Sequence, residues 1–332
     1  MPAPIPAPPL MRAARAVFLD AASLGTDIDF AGLEAAADRL QRHALTPAGE
    51  VSARLAGANV AICNKTPLDA HVFDQVPTLE LVLVTATGVN NIDLAAAAMH
   101  GVDVRHCRAY GTASVAQHTL MLMLALHTGF LDSQRDVAAG RWQRADSFCL
   151  LDHPIRELAG QTLGICGRGA IGSAVAELAR AFGMRVVFAQ LPGRPARADA
   201  LPWHEFLQQI DVLSLHCPLT EATRHLIDAP ALARLRPGAF LVNTARADLV
   251  DAGALLDSLH RGHLGGAAID GLAREPPPPD EPLLAARLPN LVITPHNAWA
   301  SRQARQRLLN QTVENLLAWR RGEVLRRVVA GH

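Results

Sequence analysis

The stretch "TLGICGRGAIGSAVAELARAFGMRVVFA" constrains this chain more than any other part of it. Gly167, Gly169 and Gly172 follow a short apolar run and open an Ala-rich helical pattern. Such a strand, glycine turn and helix predict a dinucleotide site. The first Gly permits the tight turn, the second lets backbone approach a pyrophosphate, and the third allows the helix to pack on the strand. The helix N-terminus then offers N–H groups and the positive end of its dipole to the phosphates, which brings Arg168, Ala170 and Ile171 into the site. The turn lies in mid-chain, however, so a second folded region has to precede it. A length of 332 residues favours two domains on the same grounds.

The first third alternates short apolar runs ("RAVFLD", "GANVAICN", "LELVLVTA", "GVDVRHC") with helical stretches ("FAGLEAAADRL", "PLDAHVFDQV", "NIDLAAAAMH"), the last two opening at Pro67 and Asp93. A long helical pattern, "ASVAQHTLMLMLALHTGFLDSQRDVAAGRW", reads as a connector. A second alternating series starts at the glycine turn, with strands "TLGICG", "RVVFAQ", "DVLSLHC", "AFLVNTA", "GGAAID" and "NLVITP". Strand and helix alternation predicts parallel sheets covered on both faces. The last helix, "SRQARQRLLNQTVENLLAWRRGE", capped by Ser301, has no strand after it in the second series. It is therefore expected to return to the first domain. The expected domains are 1–112 with 297–332 for substrate and 113–296 for the dinucleotide, with the site in the cleft between them.

About 20 residues past a dinucleotide turn, the second strand ordinarily ends in an acid that binds the adenosine ribose. Here it ends in Gln190. An amide still hydrogen-bonds a ribose hydroxyl but does not repel a 2′-phosphate, and Arg194 and Arg197 follow as possible phosphate partners or as solvated loop charges. The cofactor is thus NAD(H) or NADP(H), with use of NADPH at least comparable to NADH expected.

Three more segments end on the carboxyl edge of the second sheet. "LVNTARADLV" carries Arg246, "GAAIDGLAREPPPP" carries Asp270 and Glu275, and "NLVITPHNAWAS" carries His296. A guanidinium, carboxylates and an imidazole on one edge suit acid-base work on an anionic substrate.

Thirty-one basic and thirty-one acidic residues leave zero net charge, which argues against nucleic acid or an anionic membrane as partner. Five scattered cysteines without a C-x-x-C pair argue for reduced thiols, no metal site and a cytoplasmic location. The Pro-Ala opening reads as a disordered lead without the apolar core of a secretory signal, and no apolar run is long enough to span a bilayer. Lys65 is the one lysine among the basic residues.

The motifs "VTATGVNNIDLAAA", "AYGTASVAQHTLMLMLAL", "FCLLDHPIRELAGQTLGICGRGAIG", "LVNTARADLV" and "ITPHNAWAS", in that order, resemble the D-isomer-specific 2-hydroxyacid dehydrogenases along almost the whole chain, most closely their bacterial glycerate dehydrogenase or hydroxypyruvate reductase branch. The resemblance implies an α/β chain with two doubly wound parallel-sheet domains, a Rossmann cofactor domain inserted into a flavodoxin-like substrate domain. It implies hydride transfer between NAD(P)H and the 2-oxo group of a small 2-oxo acid such as hydroxypyruvate or glyoxylate. Pyruvate, 2-ketogluconate and phenyl-substituted oxo acids stay open.

His296 would be the acid, Glu275 would hold its other nitrogen, and Arg246 would bind the substrate carboxylate and polarise the carbonyl. Cys217, Pro218, Thr223, Thr244, Ala245 and Asp270 would line the cofactor. Thr87, Gly88 and Val89 would grip the carboxylate through backbone N–H groups, and Lys65 would steer the acid in. The resemblance further implies a homodimer through the cofactor domains, with Phe148, Leu150 and Leu151 in the arm.

Gln190 departs from the family pattern, as do Ala247 and Asn297 where a Gly and a small apolar or Cys residue are usual. Two other classes remain open: an NAD(H)-sensing binding protein of the corepressor type, and a relative that oxidises formate or phosphite. Glu275 in place of a Gln argues against formate, and "TATGV" lacks the lysine expected for phosphite.

Overall fold

The computed structural model describes residues 11–328, so the Pro-Ala opening lies outside the described residues. The chain divides into two compact units, one of described residues 11–111 and 300–328, the other of residues 112–299.

In the first unit the strands are β1 (Arg15–Phe18), β2 (Arg39–Arg42), β3 (Val60–Cys63), β4 (Leu81–Val84) and β5 (Asp103–Arg105). They form a parallel sheet in the order β2-β1-β3-β4-β5, the flavodoxin-like arrangement. Helices α1 (Ala31–Ala36), α2 (Val51–Arg54), α3 (Ala70–Gln75) and α4 (Leu94–Met99) connect them. β3 and β4 are buried throughout, which is why "VAIC" and "LVLV" read as continuous apolar runs.

Two local expectations are corrected. The stretch "FAGLEAAADRL" is not one helix: α1 stops at Ala36, and "RLQR" becomes edge strand β2, paired Arg15↔Arg39 to Phe18↔Arg42. Its polar sequence carries no strand pattern, so pairing with β1 decides its state, and its charges suit an edge. α3 opens after Asp69, whose carboxylate accepts from Val72 N at 3.1 Å, rather than at Pro67. Asp93 caps α4 in the same way.

The other unit begins with α5 (Thr112–Thr128) and α6 (Phe130–Ala138). The connector is therefore not continuous: Gly129 stands between the two helices at φ +58, in the left-handed region. Strands β6 (Thr162–Cys166), β7 (Arg185–Ala189), β8 (Ala200–Leu201), β9 (Val212–Leu215), β10 (Ala239–Asn243), β11 (Leu264–Asp270) and β12 (Leu291–Thr294) alternate with α7 (Ala170–Ala181), α8 (Trp203–Gln209), α9 (Ala229–Arg234), α10 (Ala252–His260) and α11 (Pro282–Ala285). All pairs are parallel, in the order β12-β11-β10-β9-β6-β7-β8. The order reverses beside β6, the strand that feeds the glycine turn, and ligands bind doubly wound sheets at that point. One core packs Phe206, Ile210, Leu213 and Leu241 on one face of the sheet, and another packs Met123, Val175, Ile165 and Val242 on the other.

The final helix, α12 (Arg302–Arg320), has its start capped by Ser301 and belongs to the first unit. Buried Arg320 fastens its end, donating to Arg12 O, Ala36 O and Asp38. Arg105 of β5 donates to Asn315 O at 3.2 Å. A buried guanidinium is tolerable here because several carbonyls and a carboxylate satisfy its donors.

Candidate active site

At the end of β6 the backbone turns at Gly167 with φ +103, where an added Cβ would lie 2.6 Å from His216 C and O. A Cβ on Gly172 would overlap the Gly167 carbonyl oxygen. The fold itself therefore demands both glycines. Gly169 differs: its φ is −81, and a Cβ there would meet nothing within 4 Å. The bare backbone at Gly169 leaves room beside α7, whose N-terminus has no side-chain cap. The first N–H groups of α7, at Ala170 and Ile171, have no side-chain cap and fit the pyrophosphate of a dinucleotide.

Along the same edge, Cys217 and Pro218 follow β9, while Thr244 and Ala245 follow β10. Burial pushes the Cys217 thiol up to about 11, so it is neutral at physiological pH. The Thr223 hydroxyl is used within its own turn, donating to Pro218 O at 2.8 Å and accepting from Thr220 N at 2.8 Å. Thr244 meets Thr119 of α5, hydroxyl to hydroxyl, at 2.9 Å. Gln190 directly follows β7, with its amide turned into its own loop: Nε2 donates to Arg194 O at 3.1 Å and Pro195 O at 3.2 Å, and Oε1 accepts from Arg197 N at 3.1 Å.

Beyond β11 and β12 the polar groups converge. Glu275 Oε1 accepts from Leu272 N at 2.9 Å, and Oε2 accepts from His296 Nδ1–H at 2.7 Å. That pairing fixes the imidazole tautomer and turns Nε2 away from the carboxylate. His296 has φ +51, uncommon for a non-glycine residue, so the surrounding structure must hold it there. Asp270 supplies part of that hold. Its Oδ1 accepts from Asn297 N at 2.9 Å and its Oδ2 from Ala298 N at 2.9 Å, immediately past the histidine. The Asn297 contribution is a backbone N–H, which any residue but proline supplies. Ala247 opens a 3₁₀ turn rather than adopting a positive φ, so its methyl is accommodated.

Asp270 is also the register partner of Thr294, whose hydroxyl donates to Oδ1 at 2.7 Å and receives His118 Nε2–H at 3.1 Å. Burial pushes the His118 imidazole down, with Asp270 opposing the shift. Sequence reasoning missed His118. Its one signal was a histidine on α5 beside the buried positions Val115, Ala116, Thr119 and Leu122. Arg246 follows β10, the neighbour of β11, and its Nη1 donates to Ala245 O at 2.8 Å.

In the first unit, the loop after β4 carries Thr87, Gly88 and Val89. The Thr87 carbonyl receives His106 Nδ1–H at 2.8 Å, while His106 Nε2 accepts from Arg108 Nε at 2.7 Å. Burial, the main cause, and the Arg108 and Arg326 charges lower the His106 pKa, keeping the neutral tautomer that this pattern requires. The loop bearing Lys65 is held by Asp20, 4% exposed, whose carboxylate accepts from the backbone N–H groups of Asn64, Lys65 and Thr66 at 2.7 to 2.9 Å. The Asp20 anchor was not foreseen from sequence, because its partners lie 44 to 46 residues away.

Residues 120–298 match the family model described as "D-isomer specific 2-hydroxyacid dehydrogenase, NAD binding domain". A glycerate dehydrogenase of Methylorubrum extorquens is 41% identical over 274 residues, 82% of this chain and 86% of that protein. A hydroxypyruvate reductase of Blautia hydrogenotrophica is 35% identical over 304 residues, 89% of this chain and 93% of the relative. Among solved structures, the TT0316 protein of Thermus thermophilus superposes with a TM-score of 0.80 at 37% identity, covering 95% of this chain and all of the other.

Proposed function

The chain belongs to the D-isomer-specific 2-hydroxyacid dehydrogenases, and on that premise we propose that it reduces hydroxypyruvate or glyoxylate to the corresponding 2-hydroxy acid. It is an oxidoreductase of CH–OH donors with an NAD(P) cofactor. The observation that carries the reading of the site is the His296–Glu275 pair, 2.7 Å apart on the carboxyl edge of the sheet that also bears the glycine turn. A bound nicotinamide supplies the hydride for the 2-oxo carbon. His296 Nε2 gives its proton to the carbonyl oxygen, and the Glu275 carboxylate stabilises the imidazolium before that transfer. Arg246 holds the substrate carboxylate and draws electron density toward the carbonyl oxygen. Asp270 faces the nicotinamide edge while holding the backbone that carries His296. The glycine turn, with the edge formed by Cys217, Pro218, Thr223, Thr244 and Ala245, takes the dinucleotide. The N–H groups of Thr87, Gly88 and Val89 bind the carboxylate, and Lys65 draws the anion in.

Initial rates with NADH and NADPH, each against hydroxypyruvate, glyoxylate, pyruvate and 2-ketogluconate, test this reading. Turnover on one of the first two is expected, with NADPH at least comparable to NADH. A strong preference for NADH removes the NADPH part. Absence of turnover on all four, with cofactor binding intact, moves the assignment to another oxo acid or to a sensing protein.

The segment between α6 and β6 carries Phe148 (89% exposed) and Leu151 (79%), with Ile155 also exposed and Leu150 half-buried. Apolar side chains gathered on one segment suit a subunit contact, and the proposed assembly is a homodimer through the cofactor domains. Light scattering is expected to return twice the chain mass; a monomer refutes the dimer. Free cysteines, four of them buried, fit a reducing compartment, and the cytoplasm is the proposed one. Among the described residues no helix is long and apolar enough to cross a membrane.

A further inference from the structure

Two guanidiniums converge on one carboxylate next to the adenosine end of the glycine turn. Arg168, the residue after Gly167, lies with its guanidinium carbon 4.9 Å from the ring centroid of Phe188 in β7, and it forms an ion pair with Asp199. Arg197 Nε donates to the same carboxylate at 3.2 Å. The loop joining β7 to β8 carries both Arg197 and Asp199. It is gathered by the Gln190 amide, which bonds Arg194 O, Pro195 O and Arg197 N. In a doubly wound sheet, the space between the first turn and the end of the second strand receives the adenosine ribose and whatever its 2′-oxygen carries.

We propose that Arg168 and Arg197 form an anion site for a ribose 2′-phosphate, and that Asp199 fills this site in the free protein as an internal competitor. The inference rests on the dinucleotide reading above. A planar guanidinium accepts a carboxylate or a phosphate through the same pair of donors. A 2′-phosphate therefore reaches the arginines by displacing Asp199, whereas a ribose bearing a free 2′-hydroxyl leaves that ion pair intact. Asp199 lowers affinity for the phosphorylated cofactor alone, through direct occupancy and through like-charge repulsion. Gln190 gains a role distinct from that of a ribose ligand: it is the clasp that keeps the Arg197 and Asp199 loop against the turn. All three charged residues are exposed enough for solvent to screen them, so the effect is modest and weakens with salt.

Isothermal titration of the whole chain with adenosine 2′,5′-bisphosphate and with adenosine 5′-phosphate isolates the 2′-phosphate from the rest of the cofactor and from turnover. Asp199→Asn is expected to bind the bisphosphate about three- to tenfold more tightly than the parent at low salt, by removal of one negative charge near a phosphate. Its affinity for adenosine 5′-phosphate stays unchanged. Arg197→Gln is expected to weaken the bisphosphate alone. Unchanged bisphosphate affinity in Asp199→Asn overturns the proposal, as does an absence of bisphosphate binding in every variant. Weaker 5′-phosphate binding in that variant overturns it too, since Asp199 would then be a ribose ligand. If the parent uses NADH alone while Asp199→Asn gains the bisphosphate, comparable NADPH use fails and the internal competitor stands.

Discussion

Replacing His296 with Asn is expected to lower kcat for oxo-acid reduction by about 10²- to 10⁴-fold, the range a positioned general acid contributes, while NADH affinity stays within about twofold of the parent. The loss corresponds to about 3 to 5 kcal/mol of barrier. Asparagine can keep the Glu275 hydrogen bond through its amide, and Asp270 still grips the N–H groups of residues 297 and 298. The loop therefore has no reason to collapse, and the missing element is the proton at Nε2. Glu275→Gln serves as the internal control. Its amide removes the negative charge beside Nδ1 but leaves the imidazole present, so a smaller loss than in His296→Asn is expected. Stopped-flow hydride transfer and cofactor fluorescence titration read the two quantities separately. Near-normal kcat in His296→Asn would remove the acid assignment.

The second large effect is at Arg246. Arg246→Gln is expected to lower kcat/KM by about 10²- to 10³-fold, because in the proposed role it removes both a charge-assisted grip on the substrate carboxylate and polarisation of the carbonyl. Arg246→Lys should recover only part of the loss, since an ammonium lacks the planar fork. The guanidinium already spends Nη1 on Ala245 O, which anchors the side chain at the end of β10 and leaves its remaining donors for a ligand. Cofactor titration is the control: loss of NADH affinity equal to the loss of kcat/KM would show that Arg246 holds the dinucleotide rather than the substrate.

The ends of β6, β10, β11 and β12 were legible as lying on one edge because of how parallel sheets are built. β6, β10 and β11 are buried and, like half-buried β12, read as apolar runs, and every strand in such a sheet ends on one edge. Gly167, Arg246, Glu275 and His296 could thus be assigned to one edge without coordinates. Strand β2 was illegible for the opposite reason. "RLQR" has no apolar face, and its conformation comes from backbone pairing with β1. The break at Gly129 was equally hidden, because a glycine inside a helical pattern is compatible with either continuation or a stop.

By itself, the sequence determined the class of both sheets, the dinucleotide turn and the chemical types gathered on its edge, because periodicity and spacing are local properties of a chain. Only the tertiary structure decided which polar groups hold one another. Asp20 grips residues 64 to 66, His118 reaches Thr294 176 residues away, and Asp199 sits on Arg168. Those partners are chosen by which surfaces meet when the sheets and helices pack. A carboxylate in sequence looks the same whether it anchors a loop, aligns a histidine or stands in for a phosphate.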